Sequence, residues 1–122
     1  MKKILIIDDE ATSLQILQSS LGKKDYEVIT AQDGVEGFSL INSHKPNLII
    51  LDVHMPNVDG YKLVRDIQSD EEIKKIPIII VTADEKLEER FKLIGIEYYF
   101  KKPYKIQEVL SAIAGILTDR QF

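Results

Sequence analysis

The chain predicts an α/β fold, a parallel five-stranded sheet with helices on both faces. Three observations predict it. Short apolar runs alternate five times with segments whose apolar residues recur at helical spacing. The runs Ile4–Ile7, Leu48–Leu51 and Ile78–Val81 contain no polar residue, the pattern of strands buried on both faces in a parallel sheet. Each of these runs then stops on a polar group, at Asp8, Asp52 or Thr82. In open α/β sheets the carboxyl ends of the strands are where ligands bind.

The elements follow in order. Ile4–Ile7 is a buried-type strand ending in Asp8-Asp9, after which Ala11, Leu14, Leu17 and Leu21 fall on one face of a helix closed by Gly22. Tyr26–Thr30 is a second strand whose polar flanks suit a sheet edge. Val35, Phe38 and Ile41 face one way on a short helix that ends before Pro46. Leu48–Leu51 is a central strand stopped by Asp52, with Pro56 and Asp59-Gly60 marking a turn beyond it. Leu63, Val64 and Ile67 mark the third helix, and the polar run Ser69–Lys75 reads as a surface connection. Ile78–Val81 ends at Thr82-Ala83. Leu87, Phe91 and Ile94 make a short fourth helix stopped at Gly95, Ile96–Phe100 is the last strand, and Lys102-Pro103 follows it. Ile106, Val109, Leu110, Ile113 and Leu117 line the final helix. Repeated βα units of this kind imply a doubly wound, flavodoxin-like (βα)5 architecture with strand order 2-1-3-4-5.

Composition narrows the function. With 122 residues the chain suffices for one domain with a single core. A net charge of −4 gives no electrostatic reason to expect nucleic acid or an acidic membrane as partner. No apolar run approaches the roughly 20 residues of a membrane span. The N-terminal apolar run is four residues long and ends in two acids, so it reads as a strand and not a secretion signal. The absence of cysteine removes disulfides and thiolate metal sites, and fits a reducing cytoplasm.

The strand ends bring Asp8, Asp9, Asp52, Thr82 and, from the fifth strand, Lys102 towards one crevice. Singly, each has an ordinary reading: Asp9 as a helix cap, Asp52 as a turn residue, Thr82 as a cap, Lys102 as a solvated lysine. Together they do not. Unit charges about 4 Å apart repel by about 4 kcal/mol at an effective dielectric of about 20. Three carboxylates at one sheet edge therefore need a cation. All-oxygen ligands suit a hard ion, Mg²⁺ (or Mn²⁺), that keeps waters and awaits a phosphate oxygen.

Asp8-Asp9, Asp52-Val-His-Met-Pro-Asn-Val-Asp-Gly, Thr82-Ala83 and Lys102-Pro103, in this order and on these strand ends, resemble the receiver domain of two-component response regulators. The resemblance runs from about Lys2 to Leu117. It implies a receiver filling 1–122, as a stand-alone regulator or an excised N-terminal domain. It also implies that Asp52 is the phosphoacceptor, taking its phosphoryl group from a phosphohistidine on a sensor histidine kinase or a phosphotransfer protein. Asp9 and Asp52 would ligate the metal with the backbone carbonyl of His54, and Asp8 would act through a metal-bound water. Lys102 would pair with Asp52 at rest and with the phosphate afterwards, and the Thr82 hydroxyl and Ala83 N–H would bind phosphate oxygens. Pro103 would follow a cis peptide.

The resemblance further implies a switch in which Thr82 moves towards the phosphate and Tyr99 turns in behind it. The surface of the fourth helix, fifth strand and fifth helix would then receive a downstream protein target, with Tyr98 and Tyr104 near it. The state would be a monomer or a phosphorylation-linked dimer, in the cytoplasm, and not a general enzyme. The His54 side chain and Asp84 are expected to set the lifetime of the phosphoryl group, while His44 is a solvated residue. The chain departs from the family pattern between Thr82 and Gly95, about two residues shorter than usual, and at Gly95-Ile96-Glu97-Tyr98; both departures fall on the output face.

Two rivals remain at this level. A phosphatase of the haloacid dehalogenase type uses an aspartyl nucleophile on a similar fold, but needs Asp-x-Asp where this chain has Asp52-Val53-His54. A pseudo-receiver would bind partners without being phosphorylated, although every phosphorylation residue is present.

Overall fold

A computed structural model describes residues 1–53 and 59–118. Its five strands are β1 (Lys3–Ile7), β2 (Glu27–Ala31), β3 (Leu48–Asp52), β4 (Ile78–Thr82) and β5 (Tyr98–Lys101). All neighbours are parallel and the order is β2-β1-β3-β4-β5, as the alternation predicts. The helices are α1 (Ala11–Gly22), α2 (Gly34–His44), α3 (Gly60–Gln68), α4 (Glu88–Leu93) and α5 (Ile106–Leu117), with a 3-10 turn at Glu85–Leu87.

Side chains alternate across a strand, so an all-apolar strand feeds two cores at once. Ile4, Ile6, Leu48, Ile50, Ile79 and Val81 pack on α1 and α5. Leu5, Ile7, Ile49, Leu51, Ile78 and Ile80 point the other way, onto α2, α3 and α4. The central strands β3 and β4 are buried at every position, whereas β2 and β5 are only half-buried, as edge strands must be. This rigid three-strand centre carries Asp8, Asp52 and Thr82 at one end.

Four local expectations change. The last strand begins at Tyr98, not Ile96. Gly95 takes φ +89°, and the Ile96 N–H bonds back to the Phe91 carbonyl at 3.0 Å, closing α4 before the ladder can start. Ile96 is still buried, as a plug beneath the helix end. Val35, expected on the inner face of α2, is 82% exposed. Gly37 replaces it there: a Cβ on Gly37 would come within 2.5 Å of Ile7 Cδ1, so the helix sits close on β1 and turns Val35 outwards. Ala11 is likewise exposed, at the first turn of α1. The Ser69–Lys75 connection, expected on the surface, drops Ile73 into the core with no exposure. Of the expected turn, Pro56 lies outside the described residues, and at its end the Asp59 carboxylate accepts the Lys62 N–H at 3.2 Å and caps α3.

Candidate functional site

Five elements deliver the side chains of the site. β1 stops at Ile7 and the chain turns directly into α1, so Asp8 and Asp9 stand on the crest of the sheet with the first turn of α1 beside them. Asp52 is the last residue of β3, next to β1, and Thr82 the last of β4. Lys102 follows β5, and its backbone N–H donates to the Thr82 carbonyl at 2.7 Å, which ties the end of the edge strand to the centre. The Lys102–Pro103 peptide is cis.

The Lys102 ammonium donates to Asp8 Oδ2 and to Asp52 Oδ2, each at 3.0 Å. Among the described residues, Ser13 Oγ lies 3.3 Å and Glu10 Oε1 3.8 Å from it as well. Asp8 is almost fully buried and its other oxygen accepts the Glu10 N–H at 2.9 Å. Asp52 is buried and Asp9 exposed. One carboxylate oxygen from each of Asp8, Asp9 and Asp52 lies within 4.8 Å of the others.

Burial pushes the Asp8 carboxyl above the usual carboxylate range; the Glu10 N–H and Lys102 pull the other way, and the Asp52 charge adds to the rise. Burial also works against the charge on Lys102, but hydrogen bonds to Asp52 and Asp8, and their charges, outweigh it and hold the ammonium above the ordinary lysine value. Burial raises the Tyr104 hydroxyl as well. Among the described residues, one ammonium thus meets the two buried carboxylates of a cluster of three. The donor set is all oxygen, which fits a hard divalent cation.

The other expected residues divide. Thr82 is fully buried, and its hydroxyl accepts the Asp84 N–H at 3.3 Å. Ala83 is exposed on the rim of a groove of about 490 Å³ that also reaches Lys102, Ser13 and Tyr104. The Asp84 carboxylate accepts the Lys86 N–H at 2.9 Å and so organises the following turn. Tyr99 lies on the opposite face of the strand from Tyr98, with its ring 6.2 Å from that of Phe91. Its hydroxyl donates to the Asp84 carbonyl, so Tyr99 and Thr82 meet through the backbone of one residue. Tyr98 and Tyr104 pack against the α1–α5 core. His54, expected to lend a carbonyl to the metal, lies outside the described residues.

Asp9 does not cap α1. Glu10 holds the cap position, and its carboxylate accepts no backbone N–H of the first turn. The motif pattern does not include Glu10 or Ser13. The signal was present: Ser13 is the third residue of a helix that starts at the crest of the sheet, so it sits in the turn nearest the acids.

A family profile described as the response regulator receiver domain matches residues 4–114. The alkaline phosphatase synthesis transcriptional regulatory protein PhoP of Bacillus subtilis is 38% identical over 120 residues; these cover 95% of this chain but 48% of that protein. The chain therefore spans about half the length of that relative. The polar-differentiation response regulator DivK of Brucella anthropi is 30% identical over 120 residues, covering 97% of this chain and 98% of DivK. Among solved structures, the response regulator protein TrrA of Thermotoga maritima, in complex with Mg²⁺-BeF, superposes with a TM-score of 0.86 at 28% identity, covering 96% of this chain and all of that one.

Proposed function

We propose, from the premise that this chain belongs to the response regulator receiver domain family, that Asp52 accepts a phosphoryl group from a phosphohistidine. The donor would be a sensor histidine kinase or a phosphotransfer protein, and the receiver unit would span residues 1–122. The observation that carries this reading is the Lys102 ammonium held 3.0 Å from both Asp8 and Asp52 at the end of the central strands.

An Asp52 carboxylate needs no base to become a nucleophile. One of its oxygens forms the new P–O bond as the P–N bond to the donor imidazole breaks, and the electron pair leaves with the imidazole. Such a transfer asks for alignment and for neutralisation of the transferring oxygens rather than for covalent help. Lys102 is placed to turn from the carboxylates to a phosphoryl oxygen. The Thr82 hydroxyl and the Ala83 N–H stand at the end of the next strand and would donate to the others. Asp8, Asp9 and Asp52, with the His54 carbonyl, would hold Mg²⁺ or Mn²⁺, which when bound supplies the positive charge this chemistry requires.

The signal would leave through Thr82. Drawn towards a phosphoryl oxygen, its hydroxyl gives up the Asp84 N–H, and the Asp84 carbonyl is what holds the Tyr99 hydroxyl. Tyr99 and the surface of α4, β5 and α5 would then favour a downstream protein target, with partner binding and phosphorylation reinforcing each other by linkage. The domain acts as a signalling module whose only catalysis is on its own phosphorylation and hydrolysis. Among the described residues no helix is long and apolar enough to cross a membrane, and a cytoplasmic site of action goes with this reading.

Incubation with a small phosphodonor and Mg²⁺ is expected to add one phosphoryl group to the intact chain by mass spectrometry, and none to Asp52→Asn. A wild-type mass left unchanged would select the pseudo-receiver. A modified Asp52→Asn would move the phosphoacceptor elsewhere.

A further inference from the structure

Lys102 has three N–H bonds to place, and only two of them meet the acids of the sheet. The third meets Ser13 Oγ, at 3.3 Å. Ser13 can accept it because its own proton is committed elsewhere. It sits in the first turn of α1, three residues after Glu10, and residues at that spacing lie side by side on a helix. Its hydroxyl donates to Glu10 Oε1. A hydroxyl has one donor and two lone pairs, so the bond to Glu10 fixes the rotor and turns the lone pairs towards the ammonium. Glu10 itself comes within 3.8 Å of Lys102, and it is largely exposed, on the solvent side of the network. The result is a bracket at the start of α1 that joins the same ammonium as Asp8 and Asp52.

The bracket matters because Lys102 has to change partners. Its stem comes from β5, an edge strand, and it crosses to β1 and β3 to reach its acids. Asp8 and Asp52 would lose their claim on it once Asp52 carries a phosphoryl group. Ser13 is neutral, belongs to neither acid and has no reason to release the amine at that moment. It would keep one N–H fixed while the other two swing to the phosphoryl oxygens. We propose that Ser13, oriented by Glu10, is a positioning residue for Lys102 in phosphoryl transfer to Asp52. This rests on the reading of Asp52 as phosphoacceptor.

The test compares wild type, Ser13→Ala, Ser13→Thr and Asp52→Asn, each with acetyl phosphate and Mg²⁺, following phosphoryl gain by intact mass over time. Ser13→Ala is expected to slow phosphorylation about tenfold, the lower end for one charge-assisted hydrogen bond, as suits a partly solvated amine. Ser13→Thr, which keeps the hydroxyl, should restore most of the rate. Thermal melts of the two variants separate a folding defect from a positioning one, and so does nitrogen-15 NMR of the Lys102 ammonium. Its protons should exchange with water faster in Ser13→Ala than in wild type or Ser13→Thr. Equal rates and equal exchange in wild type and Ser13→Ala would overturn the proposal while leaving Asp52 intact as acceptor. A slow Ser13→Thr with native stability would also overturn it. Phosphorylation of Asp52→Asn would instead sink the reading beneath it.

Discussion

At the surface, Lys45 meets Glu72 at 3.1 Å and Lys74 meets Glu71 at 2.8 Å. On the crest of the sheet, Lys102 meets Asp8 and Asp52 at 3.0 Å. The distances hardly differ, but the surroundings do. The Glu72 and Glu71 side chains are 76% and 84% exposed, against 1% and 7% for Asp8 and Asp52. Water screens the first two pairs and holds each partner almost as well alone, so such pairs contribute little. The crest pairs sit where an unpaired charge is costly, so each member constrains the others. The protein thus keeps an electrostatically strained cluster on top of two well-filled apolar layers, and it is the layers that stabilise it.

Removing Lys102 breaks the comparison hardest. Lys102→Met leaves two buried carboxylates without their counter-charge and is expected to cost about 3 kcal/mol in urea unfolding; a midpoint equal to wild type would mean that the crest behaves like the surface. Mg²⁺ bound by the clustered acids is expected to act in the opposite sense. At ten times its dissociation constant it should stabilise the wild type by about 1.4 kcal/mol, and Asp9→Asn should lose most of that gain in the same thermal melt. Persistence of the full gain would remove Asp9 from the ion's ligands.

Asp8→Asn sharpens the comparison. Its carboxyl is raised in the folded state, so the folded protein binds that proton more tightly than the unfolded chain does. The stability this group contributes is fully present below the unfolded value of 3.8 and is lost as pH rises through the folded value. At neutral pH ionised Asp8 is therefore a net cost, and Asp8→Asn should gain about 1 kcal/mol, or about 4 °C in Tm. The gain should shrink as pH falls towards 3.8; a gap that widened on acidification would reverse the sign assigned to Asp8. Glu72→Gln marks the small end, with a change below about 0.5 kcal/mol by urea denaturation.

Much of this arrangement is legible in the chain. Strands without polar residues announce burial on both faces, and a carboxylate ending such a strand announces the crest, so Asp8, Asp52 and Thr82 could be placed before any fold was drawn. The misplacements share a cause, that an apolar residue does not say what will compete for its position. Ile96 reads as strand because nothing local reveals that its N–H goes to the Phe91 carbonyl. Val35 reads as core because the close seating of Gly37 on Ile7 is a fact of two distant segments. Ile73 is one apolar residue in a polar run, too little for a pattern.

By itself the sequence determined the parallel layered fold, the end of the sheet where the acids gather and the residue types that meet there. These are consequences of periodicity and of the cost of burying charge, and both are local. Tertiary structure alone decided that Lys102 reaches past its own strand to two acids at once, that Ser13 and Glu10 come close to the same amine, and that Thr82 and Tyr99 meet through the backbone of Asp84. Those are matters of ångströms between segments up to 94 residues apart, and only a completed fold sets such distances.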